Sequence, residues 1–410
     1  MKNSPVSHRT FYLRMKPKFI IYVCIVAIVI RIAFAFNYYW DKEPEGWEYG
    51  AIAQNIIAGK GYSLFYFVNK QILTEYNSES KPLPSAYMMP GYVFVILPIL
   101  YLFHSDFFLI LLFQSIIAGF AVYLLFKFVS RVSDEKTGLL AAIIYSALPE
   151  FIYAASTIGP TVIFHFMVLV LLVRLHDNSF SLKEGFIVGV ISSFLIYLRP
   201  ETLLFVGLVV LYFLLKKRYR GVITAILVVL ISLSPWVIRN ILVFREFIPL
   251  TTSTGQNLYR GHNPYYNGFW MDERIHNKIL NSPLDNSFEV SVNKVFLREV
   301  NNQIKNNPIR EISSSLEKLG QLWIYNPNDN RSHNPFYLIP WIILMFFIFY
   351  EFFRRRNWNG YEHLILFVVS STLISILFFV LPRYQTLMKI AVLPFAANSI
   401  IHIYRKLTNR

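Results

Sequence analysis

Four carboxylates, Asp41, Glu43, Glu45 and Glu48, fall within eight residues beside Trp40 and Trp47, in the stretch NYYWDKEPEGWEYGAIAQNIIAGKGYS. A held carboxylate can take the proton from an attacking hydroxyl, which is general-base chemistry. Pro44 suits the first turn of a helix because its missing N–H is unpaired there in any case, and Gly59 is a natural C-terminal stop. The spacing predicts a helix from Pro44 to Gly59 with Tyr49, Ile52 and Ile56 on one face, lying along a membrane surface with its acids at headgroup level. Acids in a first turn also complement the helix dipole without any function. For one acid the two readings are evenly balanced; four together favour chemistry.

Arginines supply the complementary charge. Arg199 stands in YLRPET, Arg383 in LPRYQT, Arg239 after PWVI, Arg260 in NLYRGHNP and Arg31 inside the first apolar run. A guanidinium is always charged and binds two phosphate oxygens at once. For Arg31 the expected role is only that of a long side chain reaching the interface. Arg199 and Arg383 are nearly alone in otherwise uncharged turns, so they are the first candidates for phosphate, with Arg239 and Arg260 after them.

The elements that must position these groups are membrane spans. The chain of 410 residues is 55% hydrophobic and 17% aromatic, with a mean hydropathy of +0.44, which marks an all-α polytopic membrane protein and not a soluble domain. Crossing a hydrocarbon core of roughly 30 Å takes about 20 apolar residues. Ten spans are predicted near 19–36, 107–128, 138–155, 159–175, 184–198, 201–215, 221–238, 335–353, 361–381 and 386–404. The run 90–103 is too short, and Pro98 interrupts it. Leaving it out puts the basic loops around Lys127, Arg174, Lys216, Arg354 and Arg405 on one side, as the positive-inside rule requires.

Both ends are then cytoplasmic, and two large loops, 37–106 and 239–334, face outside. Net charge +15 reflects the basic loops and implies no nucleic-acid partner. Residues 1–18 read as the basic flank of an uncleaved anchor. The single cysteine, Cys24, lies in a span, so disulfides within the chain and cysteine-type metal sites are excluded. The chain divides into 1–238, the loop 239–334 and a three-span segment 335–410. Within the second loop, Phe288, Val292, Val295, Phe296, Val300 and Ile304 have helical spacing over 287–319, and Asn-Pro pairs mark turns.

In chain order stand a first span, the acidic PEGWEY helix, AGKGYS, PGY before a short apolar helix, LRPE, PWVIRN with FIPLTT, GQNLYRGHNP and PRY. This series resembles the GT-C superfamily of membrane glycosyltransferases, specifically bacterial relatives of the protein O-mannosyltransferases and of the lipid A aminoarabinose transferase. The resemblance implies a seven-span module with membrane-parallel helices in the first outer loop. It also implies transfer of a sugar from a polyprenyl-phosphate donor to a glycan, lipid or protein acceptor, at the outer face of a bacterial cytoplasmic membrane. A first-loop carboxylate would be the base, Glu45 by position, with Glu48 and Asp41 as competitors. Arg199, Arg383, Arg239 and Arg260 would meet the departing phosphate. The chain departs from relatives where Gly159 replaces a second acid, Glu150 being the nearest, and where Met88 replaces a lysine of the aminoarabinose branch. No cofactor follows with certainty; a divalent metal is used in parts of the superfamily and is not implied by these residues. A polysaccharide polymerase or ligase would lean on the second loop, and a transporter would carry acids within its spans; a scaffold without activity is the remaining alternative.

Overall fold

The computed structural model describes residues 18–68, 71–78, 80–104, 106–176, 180–263 and 273–408. The first helix, α1 (Lys18–Tyr38), leads into a long connection. That connection holds α2 (Trp47–Ile57), a two-stranded antiparallel hairpin β1 (Tyr66–Val68) and β2 (Gln71–Leu73), and α3 (Pro90–Leu102). A bundle follows: α4 (Phe107–Val132), α5 (Glu135–Ala147), α6 (Pro149–Ala155), α7 (Thr161–Leu175), α8 (Leu182–Leu198), α9 (Thr202–Leu215) and α10 (Tyr219–Phe244). A second connection carries α11 (Thr254–His262), α12 (Glu273–Leu280), α13 (Phe288–Asn306), α14 (Pro308–Trp323) and a short 3-10 turn, Asn330–His333. The chain closes with α15 (Pro335–Arg354), α16 (Glu362–Leu377) and α17 (Pro382–Leu407).

The protein is an all-α polytopic membrane protein. Five helices, α1, α4, α10, α15 and α17, are each long and apolar enough to cross a bilayer, and α5 with α6 makes a sixth, bent by 62°. The other predicted spans coincide with shorter helices: α7, α8, α9 and α16 have 15, 17, 14 and 16 residues, only ~21–26 Å at 1.5 Å per residue. Ten spans therefore do not follow from helix length alone. Burial separates the layers: 78% of the apolar window of α17 is buried against 22% for α1 and for α10. The last helix is thus the centre of the bundle, and α1 and α10 turn Ile25, Val29, Leu230 and Ile231 outward.

Arg31 corrects the expectation of a side chain reaching the interface. It is fully buried and donates to the carbonyls of Ala27, Tyr145 and Ser146 at 3.0, 3.2 and 3.4 Å. The cause is Pro149, which has no N–H to give the Tyr145 carbonyl four residues back. A guanidinium from α1 satisfies the acceptor that the break between α5 and α6 leaves open.

Both ends of α3 meet the same end of the bundle. At its start the backbone of Gly91 touches the end of α8 so closely that a Cβ would lie 2.6 Å from the Tyr197 carbonyl carbon, which is why the PGY motif has glycine there. Beyond its far end, Phe107 packs under Gly46 and Gly50 of the α2 region, and the Phe108 ring lies tilted against Phe36 of α1, centroids 4.6 Å apart. The two long connections also pack on one another: Phe65 and Phe67 meet Phe288, and Thr252 N–H donates to the Ala86 carbonyl at 3.0 Å. The 287–319 segment is helical but broken into α13 and α14 at Asn307-Pro308, one of the pairs read as a turn. The hairpin had no signal in the sequence reading.

Candidate active site

The acidic helix starts later than its pattern suggests. Trp47 takes a left-handed backbone (φ 48°) and Gly46 is the cap, so α2 begins at Trp47 and not at Pro44. The turn separates the acids. Glu48, in the first turn of α2, points into a large cavity of about 2100 Å³. Asp41, Glu43 and Glu45 precede the helix, are exposed and do not line the cavity. Glu45 stays close to its edge: the Tyr39 hydroxyl, which donates to the Ser156 carbonyl at 2.9 Å, is pushed up to about 12 mainly by burial, and the Glu45 charge adds to the rise.

Around Glu48 the cavity gathers opposite charges from distant parts of the chain. Arg199 caps the end of α8 and donates through Nε to Glu201 Oε1 at 2.6 Å. Arg383, in the first turn of α17, and Arg199 both lie against the Tyr384 ring, at 5.6 and 5.8 Å from its centroid. The Tyr49 hydroxyl stands on the same cavity wall. Its pKa is pushed up to about 12, first by burial, while Arg199 and Arg383 pull it down and Glu201 and Glu48 raise it. One phenol therefore feels two guanidiniums and two carboxylates at once. Arg260 reaches the cavity from α11, 4.0 Å over the Phe379 ring. Arg199, Arg383 and Arg260 are thus brought to one site, and Arg239 is not.

Arg239 is built into the frame. It donates to the carbonyls of Ser85 and Tyr62 at 2.7 and 2.9 Å and to Asn240 Oδ1 at 2.9 Å, and it does not line the cavity. These bonds hold the 85–89 segment beside the second connection. That segment also receives Glu289 of α13, whose Oε2 accepts from Ala86 N–H at 2.8 Å and from the Thr252 hydroxyl at 2.6 Å. Burial pushes the Glu289 carboxyl up to about 7, against hydrogen bonds from Ser85, Thr252 and Ala86 and the nearby charge of Arg239. Its Oε1 is buried without a partner, and the residue lines the cavity.

Glu289 was missed from sequence because one acid in a loop carries no pattern. Tyr87, which donates to Gln256 Oε1 at 2.9 Å on the same wall, was missed for the same reason. Glu201 and Tyr384 stand inside the YLRPET and LPRYQT motifs, but only the arginines there were singled out.

The two departures from the GT-C pattern also have places here. Gly159 lines the cavity, with open space where a side chain would stand. Glu150 lines it as well, but its Oε2 is held at 2.5 Å by Lys389, buried in α17. Among the described residues no group of three or more His, Cys, Asp or Glu converges.

The cavity changes character along its length. Toward the spans it is walled by Phe164 of α7, Leu203 and Leu208 of α9 and Phe367 and Ile374 of α16; toward the connections it is walled by Tyr87, Gln256, Phe288 and Glu289. The cluster of Glu48 and the arginines lies at the joint. Such a site can receive a lipid from the membrane side and a polar substrate from the other, with a carboxylate and fixed positive charge where they meet.

Residues 81–238 match the family model for dolichyl-phosphate-mannose-protein mannosyltransferases. No curated protein sequence matches the chain. Among solved structures the fold is similar to the archaeal oligosaccharyltransferase AglB from Archaeoglobus fulgidus in complex with an inhibitory peptide and a dolichol-phosphate. There the TM-score is 0.54 at 13% identity, over 95% of this chain and 52% of that one. The apo form of the Archaeoglobus fulgidus enzyme gives 0.54 and 13% over 96% and 52%, and its complex with zinc and sulfate 0.53 and 13% over 94% and 49%. The chain thus spans about half the length of the structures it matches. At this identity they speak for the fold alone, while the family match covers the segment that contains α3, α8 and Arg199. The family match covers less than half of the chain, and it marks that segment as similar to the dolichyl-phosphate-mannose-protein mannosyltransferases.

Proposed function

We propose that the protein transfers a sugar from a polyprenyl-phosphate donor to a hydroxyl-bearing acceptor, at the membrane face where the two long connections lie. The observation that carries this reading is that Glu48, Tyr49, Arg199 and Arg383 line one cavity, between an apolar and a polar half. The prenyl chain lies among the apolar side chains of α7, α9 and α16. The acceptor comes from the side of Tyr87 and Gln256.

Glu48 is the general base. It removes the acceptor proton as the acceptor oxygen bonds to the anomeric carbon. The bond from that carbon to the phosphate oxygen breaks, its electron pair leaves with the lipid phosphate, and Arg199 and Arg383 meet the charge that develops there. Arg260 closes the site from the second connection. Glu45, first by position, is the alternative base at the cavity edge.

Single-turnover transfer from a polyprenyl-phosphate sugar, with the protein in lipid nanodiscs, separates the two acids. Glu48→Gln keeps shape and hydrogen bonding, so turnover falls by about 10²–10⁴-fold while donor binding survives; Glu45→Gln has a smaller effect. The opposite ranking makes Glu45 the base. Full activity in both variants removes the connection from the chemistry.

A further inference from the structure

A second charged site lies at the other end of the bundle. Four arginines, Arg354 at the end of α15, Arg355 and Arg356 just after it and Arg405 of α17, converge with His402 and Asn398 on a pocket of about 500 Å³. Arg383 and Arg405 are 22 residues apart on one helix, ~33 Å at 1.5 Å per residue, about the thickness of a hydrocarbon core. The pocket therefore stands at the opposite headgroup level from the catalytic cavity. Loop arginines there satisfy the positive-inside rule by themselves, but that rule asks only for charge, not for an organised recess.

The organisation comes from Glu351. Its fully buried carboxylate accepts from Arg354 at 2.7 Å and Arg355 at 2.7 Å, and from Asn398 and Ser399 at 3.1 Å each. Arg355 is further fixed over the Tyr361 ring at 4.2 Å. Arg405 is tied to Asp134 at 2.9 Å, and Arg356 has no acid partner among the described residues. Four guanidiniums face two paired carboxylates, which leaves a surplus of two positive charges around one recess. Confining like charges costs free energy that a bound anion offsets, and guanidinium forks match phosphate oxygens two at a time. Beside the pocket, Phe353, Tyr404 and Leu407 are exposed at 89%, 57% and 80%. Apolar side chains so placed offer acyl chains a surface next to the recess. Basic pockets at span ends are known to hold anionic headgroups.

We infer that this pocket binds a phosphate group, the headgroup phosphate of an anionic phospholipid in the leaflet away from the catalytic cavity. The full chain in nanodiscs of phosphatidylcholine, with and without phosphatidylglycerol, tests it by thermal unfolding and by native mass spectrometry of retained lipid. Phosphatidylglycerol should raise Tm and remain bound at one copy per chain. Arg356→Gln with Arg405→Gln should cut that retention about tenfold and abolish the Tm increment. Arg356→Gln alone, an exposed and unpaired position, should reduce both without risk to folding. Millimolar inorganic phosphate in phosphatidylcholine discs distinguishes the sources: an equal Tm rise means a free phosphate ligand, and no rise means the lipid. The inference fails if neither phosphate nor phosphatidylglycerol shifts Tm, or if the shift and the retained lipid survive in the double variant.

Discussion

Replacing Arg199 separates chemistry from scaffolding more sharply than any other change in the cavity. Its guanidinium is only 15% exposed and its partner Glu201 30%, so water substitutes poorly for the arginine but readily for the ion pair. Removing one preorganised donor of charge stabilisation typically lowers turnover about 10²–10³-fold. Arg383 shares the phosphate, which sets the expectation for Arg199→Ala near ~10²-fold, about 2.7 kcal/mol in the barrier. The fold should lose far less, because a partly exposed pair contributes about 1 kcal/mol or less. Turnover should therefore drop steeply while Tm barely moves. Arg199→Lys keeps the charge without the fork and should recover part of the loss. Glu201→Gln should cost less than Arg199→Ala, because the arginine stays and keeps a hydrogen-bond acceptor, losing only the partner's charge. Transfer and donor affinity, read on the same nanodisc sample as the unfolding curve, check all three. If Arg199→Ala turned over within about threefold of the parent, Arg199 would be only the cap of α8, and the phosphate site would need another owner.

Stability should depend on pH through Glu289. An ordinary glutamate titrates near 4.3 in the unfolded chain, and burial holds this one at about 7 in the fold. Between those values the folded state binds more protons, so stability falls as pH rises and the loss is complete above about pH 7, roughly 4 kcal/mol at most. Glu289→Gln should flatten that window in thermal unfolding curves from pH 4.5 to 8; an unchanged slope would mean the carboxyl is ionised in the fold. For topology, with Cys24 replaced by Ser, cysteines at His104 and Arg298 should react with an impermeant reagent from the same side of the membrane. Opposite labelling would make α3 a crossing. Gly91→Ala should push α3 off Tyr197, where the added Cβ meets backbone at 2.6 Å, and overpacking of this kind costs about 1–3 kcal/mol. A Tm unchanged in that variant would show that the contact relaxes freely.

What could be read from sequence and what could not divide along physical lines. Apolar periodicity and charge asymmetry are local and redundant, so the bundle, the short α3 and the two connections were visible. The arginines at Arg199 and Arg383 were visible too, because a lone cation in an apolar turn has few structural excuses. Arg239 shows the limit of that reasoning: a cation near the end of an apolar helix can equally be consumed by carbonyls, here those of Ser85 and Tyr62, and only tertiary structure tells the two apart. Arg31 was misread for the same reason, since the acceptor it serves arises from a proline on a different helix.

The acids turn on a smaller matter. Pro44 invites a helix start, yet the left-handed Trp47 delays it by one turn, and three residues are enough to rotate a carboxylate from cavity to solvent. Position in the motif favours Glu45, and direction in space favours Glu48. General-base catalysis requires hydrogen-bond reach to the proton being removed, so direction is the stronger criterion unless the 41–46 segment folds inward when substrate arrives. In that event Glu45→Gln would lose turnover with acceptor present while leaving donor affinity untouched, and Glu48→Gln would not, an outcome that makes closure of that segment a step of the reaction.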